Sequence, residues 1–486
     1  MSLAIYVMTL APGLTWAHDS VDGGDLATAV ALLGVPHPPG YPTYVLLAYP
    51  FALLPVGEIA TGTNLFSAVC AALAAAILAG SLARMLRSQA AAIGAGLSLA
   101  STRLVWSQAV VTEVHTLNCL FATTILALFI GVSRAQPGSS PAGLTASIQA
   151  LGVETRVPFT GRQAGAFVLG CVWGLGLGNH LTLVFLAPVV ILVLHRSRQP
   201  VRWTVLGLIL GLSVYVLLPL RAASGLPVGW GDARTPSGLW WIISGGPYRR
   251  FAFALPVAQL PARLVSWARI TVEQFGIPGA IVAGLGLLGL RGTDRRFFWG
   301  TVGAVALCAV FALGYDTTDS HLYLIPALVC AATWLGVGAD WLIDGAQKLK
   351  PRMGWLLAAG AVAMPLIGAV MRWPAQDLSR ERSAAAFAEA TLWAAPQRAV
   401  LLSREDGHTF ALWYYHYALG HRPDVAIVDV DLLSHTWYVE QLQPRLDVTE
   451  IQKVRQGSPD ALTTAAAHLS RSICLVYGEY LQCVAP

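Results

Sequence analysis

The run Asp22-Gly23-Gly24-Asp25, followed after a helix-length apolar stretch by His37-Pro38-Pro39-Gly40, holds the residues best suited to acid–base chemistry. A carboxylate beside apolar surface has its ionised form disfavoured, which makes it a stronger base at neutral pH. The plainer role is helix capping. An aspartate ahead of Leu26-Ala27-Thr28-Ala29 can accept orphan backbone N–H groups, worth about 0.5–2 kcal/mol. Capping needs only one acid, so at least one of Asp22 and Asp25 is expected to be catalytic.

Other polar groups fall into the same loops. His18, His37, His115, His180 and His321 alternate with apolar segments in phase with Glu113, Asp316 and Asp319. Singly, each reads as a histidine bonded at a helix end; together they predict a polar cavity. Glu113 suits either the N-terminus of the next helix or a substrate hydroxyl or cation. Arg221, Arg249 and Arg250 are candidate ligands for a lipid phosphate, because guanidinium pairs bidentately with phosphate. Their ordinary role would be snorkelling to headgroups. Asp232, the single acid among them, joins the substrate-binding candidates. No HxH or HxxxH spacing occurs, so a divalent metal is conceivable but not indicated, and no cofactor is expected.

These residues must be held by membrane helices. The chain has 486 residues, 55% of them hydrophobic and only 12% charged, with mean hydropathy +0.60. Soluble domains carry about 25% charged residues, so this is an integral membrane protein. A span needs about 20 apolar residues. Eleven are predicted: 3–16, 62–83, 89–110, 114–133, 163–179, 181–195, 202–219, 274–290, 297–314, 321–341 and 354–371. Residues 43–57, interrupted by Pro50 and Pro55, fit an interfacial or re-entrant helix. The first segment lacks a basic n-region and is not expected to be a cleaved signal.

Charge then orients the bundle. Alternate loops carry Arg84/Arg87, Arg134/Arg156/Arg162, Arg196/Arg198/Arg202, Arg291/Arg295/Arg296 and Lys348/Lys350/Arg352, with a flexible stretch at Pro137–Thr145. These loops are expected in the cytoplasm, along with the N-terminus, and the acids on the opposite side. Residues 221–271 break the rule, since an outer loop there holds six arginines. They are read as kept for an anionic ligand, beside an interfacial helix at Leu239–Ile243. After Trp373 the composition turns soluble, with strands at Ala399–Ser403, Val425–Val430 and Ile473–Tyr477 and a helix at Thr409–Leu419. The division is therefore a transmembrane domain over 1–372 and an extracytoplasmic α/β domain over 375–486. The seven cysteines show no paired spacing, and neither a disulfide framework nor a zinc site is expected.

Ala11-Pro12, Asp22-Gly23-Gly24-Asp25 and His37-Pro38-Pro39-Gly40-Tyr41-Pro42 resemble the family long catalogued as domain of unknown function 2723. That family includes the animal O-mannosyltransferase transmembrane protein 260. Asn64-Leu65, Glu113-Val114-His115-Thr116-Leu117, Pro219-Leu220-Arg221, Thr409–Tyr414, Arg422-Pro423-Asp424-Val425 and Trp437-Tyr438 extend the likeness over nearly the whole chain. Asp25 stands where glutamate is usual, and His115 where tyrosine is common. The resemblance implies an all-α polytopic GT-C-like fold with a small C-terminal α/β domain. It implies a glycosyltransferase that moves a sugar, mannose in the animal relative, from a polyprenyl-phosphate carrier with inversion. The acceptor would be protein serine or threonine hydroxyls, or a glycan. It further implies Asp22 as base, Asp25 as orienter or acceptor ligand, and arginines rather than a metal on the departing phosphate. Membrane lipids are expected partners, nucleic acid is not, and the setting is a bacterial inner membrane. The alternative is a transporter or flippase for a lipid-linked or polar solute. It is disfavoured because the acids cluster at one face and no half-to-half repeat appears. A third, weaker reading is an assembly protein whose C-terminal domain binds partners.

Overall fold

The computed structural model describes residues 1–134, 161–197, 201–455, 459–478 and 480–486. The expected loop at Pro137–Thr145, with Arg156 and Arg198, lies outside the described residues, as do the side chains of Arg134, Arg162 and Arg196. Among the described residues, six helical stretches are long and apolar enough to cross a membrane: Ile59–Ala83, Val201–Ala222, Val257–Thr293, Arg295–Gly314, Ser320–Leu349 and Pro351–Gln376. Shorter apolar helices, among them Gln89–Ala100 and Leu181–His195, pack between them.

Small residues set the closest packing in this body. Gly170 and Gly174 of helix Gly161–Leu177 face Gly207 and Gly211 of helix Val201–Leu212. A Cβ on any of the four would press into backbone of the facing helix. Paired small-xxx-small faces are how membrane helices gain contact without a hydrophobic driving force.

Two expected spans are not continuous helices. The stretch predicted at 3–16 is helical only over Ser2–Met8, about 10 Å of helix. Beyond it Pro12 and Gly13 interrupt, and the backbone is claimed by neighbours instead. Asn64 Nδ2 donates to the carbonyls of Ala11 (2.9 Å) and Gly13 (3.0 Å), and Ala11 N to Val110 O (3.1 Å). The stretch predicted at 89–110 breaks into Gln89–Ala100 and Arg103–Ala109, where the Thr102 hydroxyl caps Val105 N. Arg372 supports this break and a kink at Gly276 at once. It donates to the carbonyls of Ser101 (3.1 Å), Glu273 (2.7 Å) and Gln274 (3.1 Å). Segment 43–57 forms helix Pro42–Ala52, too short to span.

The C-terminal unit is a four-stranded sheet of β1 (Val400–Ser403), β2 (Ala426–Asp429), β3 (Ile473–Tyr477) and β4 (Tyr480–Val484), in the order β2-β1-β3-β4. The first three are parallel, and β4 returns antiparallel from β3 through a turn at Gly478. The final strand has no counterpart among the predicted elements. It overturns the expectation of no disulfide: the hairpin sets Cys474 opposite Cys483, and the two are bonded. They lie nine positions apart, a spacing that means nothing until a two-stranded register is known.

Helix Pro351–Gln376 runs through the expected boundary near 372–375 without a linker, and Leu378 N then bonds Thr9 O (3.0 Å). The apolar core of the sheet unit also continues into the body. Leu14, Ala27, Ala60, Val228 and Trp230 belong to the same buried cluster as Val400–Leu402 and Ile427.

Candidate active site

The helix Gly23–Leu32 positions the motif acids, and its two ends are built differently. At its start, Gly24 lies against helix Asp406–Trp413 of the sheet unit. A Cβ there would run into the Phe410 carbonyl and come within 2.9 Å of Ala411 N. On Gly23 a Cβ would sit 2.7 Å from Ser20 Oγ. The two glycines between the acids are therefore a steric requirement. At the far end Leu33 takes a left-handed conformation (φ 47°), and Arg221 donates to the carbonyls of Leu33 (2.7 Å) and Leu32 (2.9 Å).

The turn after the helix folds His37 back onto the acids. Gly40, at φ 85°, lets the chain reverse against Leu218 and Ile242, and its N–H bonds His37 O (2.9 Å). Asp25 is then saturated. Its Oδ2 faces both the backbone N and Nδ1 of His37 at 2.8 Å, and its Oδ1 accepts from Trp230 Nε1 (3.2 Å). Asp22 is not. Its carboxylate makes no capping bond to the helix it precedes, lies 3.4 Å from His37 Nε2, and is 42% exposed against 5% for Asp25.

The electrostatics follow from this crowding. Loss of water lifts the Asp22 carboxyl above its usual range, with Asp25 and Asp319 adding to the rise and His37 opposing it. Burial alone would lower His37, but Asp22, Asp25 and Glu113 outweigh it and push the imidazole up to about 9. His37 is thus a cation at neutral pH, its Nδ1 donating to Asp25 and its Nε2 facing Asp22 at 3.4 Å. Glu113, buried behind the pair, is pushed well above the carboxylate range by burial and by Asp22.

Aromatic side chains wall this group. The His37 ring lies 5.0 Å from Tyr41, 6.1 Å from Tyr248, 6.2 Å from Trp230 and 6.4 Å from Phe410, the last nearly parallel. Tyr41 leads on to His180 (6.2 Å), and His180 to His115 (5.3 Å) and Tyr323 (5.6 Å). His180 Nδ1 is held by the Thr182 hydroxyl (2.7 Å), while His115 Nδ1 is buried without a partner. His321 pairs with Asp19 (3.5 Å).

The structure thus brings together Asp22, Asp25, His37, Glu113, His115, His180, Asp319 and His321. It puts others elsewhere. Arg221 serves the opposite end of the motif helix. Asp232 binds Arg234 (2.6 Å) and lines a cleft of about 410 Å³ that neither Asp22 nor His37 reaches. Arg249 and Arg250 are exposed at the end of the turn Gly246–Phe251, which Tyr248 ties to His37. Among the described residues no group of three His, Cys, Asp or Glu side chains is arranged to hold a metal ion.

Sequence reasoning missed three contributors. Trp230 anchors Asp25, and Phe410 covers His37. Asp406, at the start of the helix that carries Phe410, is pushed up to about 6 by burial and by Asp22. The Thr409–Tyr414 likeness was the only signal, and nothing local in it points to the acids.

Known proteins match along this same frame. A family model described as the protein O-mannosyl-transferase TMEM260 N-terminal domain covers residues 22–203, and TMEM260-associated domain 2 covers 384–453. The two matched segments hold the motif acids and the helix packed on them. The chain is thus TMEM260-like in sequence over both segments. The Mus musculus protein O-mannosyl-transferase TMEM260 is 28% identical over 474 residues, 91% of this chain and 63% of its own length. The Dictyostelium discoideum protein of that name is 21% identical over 481 residues, 89% of this chain and 56% of its own. The chain therefore spans about three-fifths of these relatives. In fold it is similar to ArnT from Cupriavidus metallidurans bound to undecaprenyl phosphate. That match has a TM-score of 0.57 at 14% identity, covering 92% of this chain and 94% of the other. The apo form of ArnT gives 0.55.

Proposed function

We propose that this TMEM260-like protein is a membrane glycosyltransferase that uses a polyprenyl-phosphate sugar, mannose by analogy with its relatives, and glycosylates protein serine or threonine hydroxyls. One observation carries the reading. Of two acids one turn apart, Asp25 spends its oxygens on His37 and Trp230, while Asp22 keeps a half-exposed carboxylate of raised basicity beside the aromatic wall.

In the reaction the acceptor O–H gives its proton to Asp22 as the oxygen attacks the anomeric carbon. The bond from that carbon to the phosphate oxygen breaks, and the phosphate leaves with the electron pair. The configuration inverts. Asp25 and protonated His37 orient Asp22, and Arg249 and Arg250 are the available cations for the phosphate, since Arg221 is engaged at the helix end. The undecaprenyl phosphate bound by ArnT, a protein of similar fold, supports a lipid-linked donor here. The alternating loop charges support an extracytoplasmic acid loop and sheet unit. So does the Cys474–Cys483 disulfide, since such bonds persist in oxidising compartments. The decisive experiment reconstitutes the full chain in nanodiscs with a radiolabelled polyprenyl-phosphate mannose and a Ser/Thr-rich acceptor. Asp22→Asn is expected to abolish transfer while the protein still folds; full activity in that variant removes Asp22 as base.

A further inference from the structure

Helix Ser383–Ala394 of the sheet unit ends beside an open basin of about 810 Å³. On its lip stands Trp393, 88% exposed, the most exposed large hydrophobic side chain among the described residues. An indole left in water gives up apolar contact, and indole faces are suited to ligands that are apolar on one side and hydroxylated on the other.

The floor of the basin is densely hydrogen-bonded. The Arg422 guanidinium donates to the carbonyls of Leu392 (2.5 Å), Ala395 (2.9 Å) and Pro396 (3.0 Å), and to both oxygens of Asp424 (2.8 and 2.9 Å). The rim is different: Glu389, Gln397, Arg398 and His421 are exposed planar polar side chains, rich in donors and acceptors. Two acids, Glu389 and Asp424, balance two guanidinium groups, Arg398 and Arg422. The lining side chains alone thus carry no net charge with His421 neutral. The basin therefore sets an apolar indole beside a polar rim, the two kinds of surface that a sugar ring presents. Its volume is that of a small-molecule site.

We propose that this basin binds a neutral oligosaccharide, one sugar ring stacked on Trp393 and its hydroxyls held by the Glu389, Gln397 and Arg398 side chains. The site goes beyond the transfer reaction, since none of its lining residues belongs to the Asp22 group. It would hold a glycan already present on an acceptor or product.

The test uses the full chain in nanodiscs, titrated with mannotriose, maltotriose and chitotriose and followed by saturation-transfer NMR. At least one sugar is expected to bind, about tenfold more weakly to Trp393→Ala, more weakly also to Gln397→Ala, and unchanged to Asp22→Asn. Because Trp393 is exposed, its removal should leave the melting temperature unaltered. Three results overturn the proposal: no binding by any of the three sugars, binding indifferent to Trp393→Ala and Gln397→Ala, or binding lost in Asp22→Asn, which would move the sugar to the acid group. A fourth is quenching by brominated lipids that disappears in Trp393→Phe, which would make Trp393 a membrane anchor. Loss of transfer activity in Asp22→Asn with sugar binding intact separates this proposal from the one above.

Discussion

At its C-terminal end the helix Gly23–Leu32 has its last carbonyls taken by Arg221, as a stable helix end requires. At its N-terminal end Asp22 precedes the first turn with its backbone in the αR region (φ −79°, ψ −7°) rather than the extended one from which a side chain caps, and its carboxylate makes no cap. One end is closed by hydrogen bonds, while the other holds a carboxylate that is half-exposed and faces the His37 ring at 3.4 Å. Buried polar groups in folded proteins are nearly always satisfied. Buried Asp25 obeys that rule, while half-exposed Asp22 is left to water and His37, which is the difference the proposed base rests on.

That contrast can be broken in steps. The largest effect is expected from Asp22→Asn, a loss of about 10²–10⁴ in transfer rate if a positioned base is removed, with the protein still folded. Asp25→Asn should instead fail in the melting curve. Removing one partner of a buried ion pair costs about 3–5 kcal/mol, and activity would fall with the fold. Equal behaviour of the two variants in both assays would erase the distinction. Gly24→Ala drives a methyl into the Phe410 carbonyl and should cost about 1–3 kcal/mol, read as lowered thermal stability together with lost transfer. Arg221→Ala opens the closed end of the helix. About 1.5–3 kcal/mol of charged hydrogen bonding is at stake, and the variant should melt earlier while the surviving folded protein keeps its turnover.

The mildest test is pH. The His37 proton is held to about 9 in the fold against about 6.5 in the unfolded chain. Its stabilisation is therefore complete below about 6.5 and declines as pH rises through 9. Thermal stability should fall across that window, on the order of a few degrees, and the fall should vanish in His37→Gln. Asp22 gives the opposite limb to activity: transfer should rise with pH as its elevated carboxyl deprotonates.

Much of this was legible in the residues. Apolar runs and loop charge predicted the polytopic body, and alternation predicted three of the four strands. The acid motif and His37 were singled out because carboxylates are costly at a membrane boundary. What was not legible depends on approach between distant segments. Nothing in Thr9–Trp16 says that Asn64 will claim its carbonyls and deny it a helix. Arg221 looked like a phosphate ligand because a guanidinium at headgroup depth has the same composition whether it meets lipid or a helix end. The disulfide needed the β3–β4 register, and the role of Phe410 needed the packing of helix Asp406–Trp413 against Gly24.

That last packing has a consequence in time. Trp16, just before the acid loop, bonds the carbonyl of Gly407, 391 residues further along the chain. At translation rates of about 5–20 residues per second, the loop waits roughly 20–80 s for the segment that completes it. During that interval the nascent protein holds its acids beside a missing wall. A molecule stalled before residue 406 holds the acid loop without the helix that closes over it, so a later-made segment decides when an earlier-made loop is complete.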